Sequence, residues 1–210
     1  MRMSQRAFEA IIGWEVSDKR TYEQTLTRPT WPAVKSGVTI GIGYDLGYQT
    51  RDQFVRDWSP HLSEDEVETL LPCVGVKGRA AEALAQRVSH EVSIPWPAAV
   101  SVYQDTTIPR WEETTLKAFR GADALPPDCF GALVSLVFNR GPDMGAIGAD
   151  SWERRQEMRL IRDAITAKDY GDVPAALREM KRLWPESRGL RNRREAEAKM
   201  FETGLKEAGL

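Results

Sequence analysis

The chain has 210 residues, 41% of them hydrophobic and 29% charged, and a formal net charge of −2. That length and composition belong to one globular domain able to bury a sizeable core. The longest apolar run, Phe130 to Phe138, is far short of the roughly 20 residues a membrane span needs, and so slight a charge balance excludes bulk attraction to nucleic acid.

In chain order, "SQRAFEAIIGWE" places Ala7, Phe8, Ile11 and Ile12 on one helical face, with Ser4 as N-cap and Glu15 where the helix should end. The acidic residues here interrupt what would be the apolar core of a signal peptide, and no cleavage site follows. Synthesis in the cytosol is therefore expected, and any export would need a route other than a cleaved signal.

Residues 16–37 are polar and carry Pro29 and Pro32, which predicts loop or edge strand rather than helix. "VTIGIGY" alternates β-branched and small residues with the period of a strand, ending at Asp45. Helical spacing follows from Thr50 onward, and Ser63 with Glu66 makes a capping box. "PAAVSVYQDTTIPRWEETTLKAF" reads as helix with Pro109 as a break or a helix start, and "PPDCFGALVSLVFNRG" as an apolar helix stopped by Gly141. Three further helical segments close the chain, the last containing "RNRREAEAKMFETG". Trp58, Trp96, Trp111, Trp152 and Trp184 are expected to pack in the core or half-buried.

Several chemistries lack support. Cys73 and Cys129 form no CxxC pair and are read as free buried thiols. His61 and His90 are too few for a zinc site, and neither HExxH nor GxSxG occurs. Gly41, Gly43 and Gly47 stand at relative positions 1, 3 and 7, whereas a dinucleotide loop needs 1, 3 and 6 between a strand and a helix of a βαβ unit.

Carboxylates fit better. Glu15 ends an apolar helix beside Trp14, a setting that can raise a carboxyl pKa and suit a general acid, while a more exposed Asp45 at a strand end can stay ionised and activate water. Glycosidases need such a pair across the scissile bond. From spacing alone, Glu15 could equally pair with an arginine and Asp45 serve a turn. "RNRREAE" reads first as a surface helix with i,i+4 pairs Arg193–Glu197 and Arg191–Glu195. Arg140 could simply complement the dipole at a helix C-terminus.

Four blocks stand in order: "WE" after the apolar helix, "SGVTIGIGYDLG", "GALVSLVFNRG" and "GLRNRREAEAKMF". Together they resemble the phage-type lysozymes, glycoside hydrolase family 24. Residues 50–128 resemble that family only in being helical. The family's aspartate lies six residues before the motif threonine, which here is Ala33, with Asp18 and Glu23 off register. Pesticin-type muramidase domains instead carry it six residues after the threonine, which here is Asp45.

The resemblance implies a lysozyme-like α+β fold in one domain, 1–210. It would be mainly helical, with a small N-terminal β-hairpin lobe (about residues 16–48) and a larger helical lobe (1–15 plus 50–210). It implies an inverting muramidase in which Glu15 is the acid and Asp45 with Thr39 positions water, the glycines keeping the strand slim beside a saccharide cleft. Arg193 would approach the glutamate, and Asn139 and Arg140 would line the cleft. No metal or cofactor is implied. The partner would be peptidoglycan glycan strands, met in the periplasm by a monomer, with an immunity or inhibitor protein if the chain is a bacteriocin or effector. Two alternatives stay open: an inactive wall-binding or structural module of the same fold, and a lytic transglycosylase, which uses one acid and no activated water.

Overall fold

The computed structural model describes residues 1–32 and 35–210; Ala33, the position of the displaced family aspartate, lies outside the described residues. Among the described residues the chain is mainly helical with one antiparallel pair of strands, the composition expected. No helix among them is long and apolar enough to cross a membrane. Contacts divide the chain into two compact units, one of Ile12–Ile108, the other of Met1–Ile11 with Pro109–Leu210. That division keeps the helices up to Ile108 with the hairpin, whereas the lobe expected from sequence ended at about residue 48.

Helix α1 (Gln5–Val16) starts where predicted, the Ser4 hydroxyl accepting from the Ala7 amide at 3.0 Å. The division between the units falls within it. Helix α2 (Lys19–Thr25) corrects the loop expected over residues 16–37: Asp18 caps it by accepting from the Thr21 amide at 2.7 Å. Lys19, Arg20, Glu23 and Gln24 are good helix formers, and both prolines come after the helix has ended. Tyr22 is its one buried residue, anchored by its hydroxyl donating to the Ile94 carbonyl at 3.0 Å and by an edge contact with Trp96.

The segment read as one strand is a hairpin. Strands β1 (Thr39–Ile40) and β2 (Tyr44–Asp45) pair antiparallel, Thr39 opposite Asp45 and Ile40 opposite Tyr44. Gly41 and Gly43 turn the chain between them with positive φ, so they make the turn rather than slim a strand. A Cβ on Gly41 would also come within 2.8 Å of the Trp58 ring, which is fully buried and meets Tyr44 edge-on.

Helices α3 (Arg51–Trp58) and α4 (Glu64–Leu70) begin with capping boxes, the second being the predicted Ser63–Glu66 pair. Helix α5 (Arg79–Val88) and helix α6 (Trp96–Val102) complete this unit's core with Ala85, Val88, Ala99 and Val102. After α6 a π-helical turn, Tyr103–Thr107, precedes helix α7 (Ile108–Ala118). The widened turn accommodates Pro109, which lacks an amide hydrogen and would crowd a regular preceding turn.

In the other unit, helix α8 (Pro127–Arg140) is buried from Asp128 through Val137 and ends at Gly141, as predicted. Helix α9 (Ser151–Arg154), helix α10 (Gln156–Ala167) and helix α11 (Val173–Glu179) precede the long helix α12 (Arg188–Ala208). Gly204 lets α12 approach α8, because a Cβ there would lie 2.7 Å from the Cys129 sulfur. Cys129 and Cys73 are free buried thiols, as read from sequence. Burial pushes Cys73 up to about 11 and Cys129 up to about 12.

Helices α11 and α12 are linked at the surface by Arg178, which contacts Glu202 at 2.6 Å and Glu195 at 3.1 Å, and Lys181, in the turn that follows α11, holds Glu195 at 2.9 Å. The Lys181 and Arg178 hydrogen bonds hold Glu195 below its ordinary 4.5, and Arg178 holds Glu202 below its own. Their stabilising contribution is therefore present above pH 4.5 and is lost as pH falls through the depressed values. Because the pairs are about a third exposed, screening limits them to about 1 kcal/mol or less. Arg178→Ala should cost that much by urea unfolding at pH 7, and the difference from wild type should shrink as pH falls below 4.5 and in about 1 M salt.

Candidate active site

Glu15 stands in the last turn of α1, which ends after Val16 because Ser17 takes φ +65° and Asp18 begins a new helix. Its side chain is exposed, not sunk among Trp14 and the aliphatic residues as the sequence suggested. After α2 the chain returns beside the hairpin: Thr30 and Thr39 exchange both backbone hydrogen bonds, at 2.9 and 2.8 Å. Glu15, Leu26, Arg28, Thr30 and Thr39 line a cleft of about 280 Å³, together with the Gly41–Gly43 turn. That volume falls just below the usual range of ligand sites, which begins at about 300 Å³.

Thr39 and Asp45 face one another across the hairpin. The expectation placed both on one strand, six residues apart; they are instead cross-strand partners. The Thr39 amide and carbonyl both point to Thr30, so Thr39 and Asp45 form the non-hydrogen-bonded kind of pair. In such pairs the facing side chains approach most closely, with Cβ atoms about 4.5–5.5 Å apart.

The Asp45 carboxylate is half-buried and held rather than open. Its Oδ1 accepts from the Gly47 amide at 2.8 Å and the Gly37 amide at 2.9 Å, and its Oδ2 lies 3.2 Å from the Gly37 nitrogen. Two glycines make this possible by close approach. A Cβ on Gly37 would lie 2.3 Å from the Gly47 nitrogen and 2.6 Å from Asp45 Oδ1, and one on Gly47 would lie 2.8 Å from the Gly37 Cα. Asp45 is not among the cleft-lining residues, so Glu15 is the cleft's one carboxylate among those residues.

Arg193, Asn139 and Arg140 belong to the other unit. Here the expected surface helix is corrected: Arg193, Arg194 and Glu197 are buried. Arg193 Nε donates to the Ser135 hydroxyl at 3.2 Å, Arg194 Nη2 donates to Glu197 Oε1 at 2.6 Å, and Ser135 also bonds Glu197. Burial pushes Glu197 up and Arg194 down, each opposed by the other's charge. The Arg193–Glu197 pair is present at 3.4 Å, but Arg191 donates to the Trp184 carbonyl at 3.1 Å while Glu195 is taken by Arg178 and Lys181. Asn139 is exposed near the end of α8. Arg140, in the last turn, lies 5.1 Å over the Trp184 ring, and burial, then the neighbouring Arg155 charge, lowers it to about 10.

The tryptophans pack as anticipated: Trp58 is fully buried, Trp96 meets Tyr22, Trp111 meets Phe138 at 5.0 Å, and Trp152 lies under Arg159. Arg28 and Thr30 were not foreseen. Nothing in "LTRPTW" marks a cleft wall until the bridge to Thr39 places it there.

Residues 11–104 match the model of a family described as a domain of unknown function (DUF8812). The matched stretch nearly coincides with the compact unit Ile12–Ile108 and contains Glu15, Thr39, Asp45 and the whole cleft lining. No curated protein matches the chain.

Proposed function

We propose that this chain is a muramidase of lysozyme-like fold, cutting the β-1,4 bond between N-acetylmuramic acid and N-acetylglucosamine in peptidoglycan. The observation that carries the reading is that Glu15 and Thr39 line one cleft while Asp45 is paired across the hairpin from Thr39. Glu15 protonates the glycosidic oxygen; Asp45 and Thr39 hold and activate a water on the opposite face, which gives inversion. Asn139 and Arg140 are proposed as substrate-binding groups on the resemblance alone, while Arg193, buried against Ser135 and Glu197, is kept from a glycan. The setting is the periplasmic face of the cell wall, reached during phage lysis or as a bacteriocin or effector. The test is digestion of purified peptidoglycan, with new reducing ends measured and the first product followed by NMR. The α-anomer is expected; a β-anomer first, or a glycosyl-enzyme trapped on Asp45, would overturn inversion.

One observation favours a second reading. With Asp45 turned onto the Gly37 and Gly47 amides, Glu15 is the single carboxylate lining the cleft, and a lytic transglycosylase needs one acid only. Its products would carry 1,6-anhydro ends in place of reducing ends, so one mass spectrum separates the two reactions. An inactive wall-binding module would release neither.

A further inference from the structure

Among the cleft-lining residues, one side chain is cationic, Arg28. It sits on a segment pinned on several sides: Thr27 accepts from the Ile94 amide at 2.7 Å, Pro29 is buried, and Thr30 is bridged to Thr39. The guanidinium itself is tethered, Nη1 donating to the Ser89 carbonyl at 2.7 Å. A guanidinium carries five N–H donors in a planar fork and no acceptor, so the tether leaves donors for an acceptor in the cleft. Holding the fork in place in advance reduces the side-chain entropy lost when a ligand binds. An exposed arginine fixed in this way beside Thr30 and Thr39, in a cleft that also holds Glu15, suits a carboxylate on the ligand.

We propose that Arg28 is the specificity-determining residue of this cleft and selects glycans bearing carboxylates, as the peptide stems of peptidoglycan do, over neutral β-1,4-linked N-acetylglucosamine polymers. The inference deepens the muramidase reading and rests on it for the substrate class. Glu15 bears on the bond broken and Arg28 on which glycan is admitted, so the two can be separated by experiment.

The probes are soluble peptidoglycan fragments with free stem carboxylates, the same fragments with those carboxylates converted to neutral amides, and chitin oligosaccharides. Binding is measured by calorimetry and cleavage by reducing ends. Wild type should bind the carboxylate form about 10–100-fold more tightly than the amidated form, the range of a charge-assisted hydrogen bond. Arg28→Gln should bring that ratio to within about threefold by weakening the carboxylate form alone. Arg28→Lys should fall between, keeping charge but losing the fork. Arg28 is exposed, so thermal midpoints should be little changed. Equal binding of both forms by wild type, or a preference retained by Arg28→Gln, would overturn the role of Arg28. Absence of cleavage of every substrate would instead overturn the muramidase reading, and the binding ratio would still decide on Arg28.

Discussion

Glu15→Gln is expected to lower peptidoglycan cleavage by about 10²–10⁴-fold, the usual contribution of a positioned general acid. The amide matches the carboxyl in shape but has no acidic proton to give the leaving oxygen. Glu15 is exposed at the end of α1, and surface substitutions usually change stability by no more than about 0.5 kcal/mol. A large loss of turnover with an unchanged melting midpoint would therefore belong to chemistry, not to folding. Both the hydrolase and the transglycosylase need this proton, so the substitution tests the assignment of the acid before it distinguishes the reactions. Cleavage within a factor of two of wild type would remove Glu15 from either mechanism.

What the sequence made legible follows from how locally each feature is determined. The Ser4 cap, the Ser63–Glu66 box and the Gly141 stop each depend on a few neighbouring residues, and each is found. The hairpin was half read. Alternation in "VTIGIGY" signals extended chain, but the reversal depends on Gly41 and Gly43 taking positive φ and on Trp58, a residue from α3, occupying the space beside Gly41. The charges of α12 were misplaced for a related reason. Arginines and glutamates at helical spacing normally describe a solvated face, yet Ser135 of α8 and the mutual neutralisation of Arg194 and Glu197 keep this group buried. Arg28 had no local signal, because its place in the cleft depends on Ser89 and Thr39, both distant in sequence. Asp45 is singled out by the resemblance, six residues after Thr39, and its bonds to Gly37 and Gly47 have no local signal, since they rest on the close approach of two backbone segments.

Asp45→Asn should separate the two jobs that this residue is asked to do. In the turn, Oδ1 accepts from the Gly37 and Gly47 amides at 2.9 and 2.8 Å, and an asparagine carbonyl can accept from both in the same way. The new NH₂ would face the Gly37 amide, which lies 3.2 Å from Oδ2, and donor against donor there should cost about 1 kcal/mol. As a base, by contrast, asparagine cannot take a proton from water, so turnover should fall by about 10²–10⁴-fold. Asp45→Ala removes both functions and should also lose about 1.5–3 kcal/mol of stability, since the amides would lose a charged acceptor. Asp18→Asn and Glu23→Gln serve as controls. Asparagine caps α2 about as well as aspartate, and Glu23 is an exposed partner of Lys19 at 3.6 Å, so both should be mild. If Asp45→Asn keeps full turnover while Asp45→Ala loses only stability, Asp45 is a clamp for the Gly37–Gly47 contact and not a base. The cleft would then work with Glu15 alone, and the products should carry 1,6-anhydro ends.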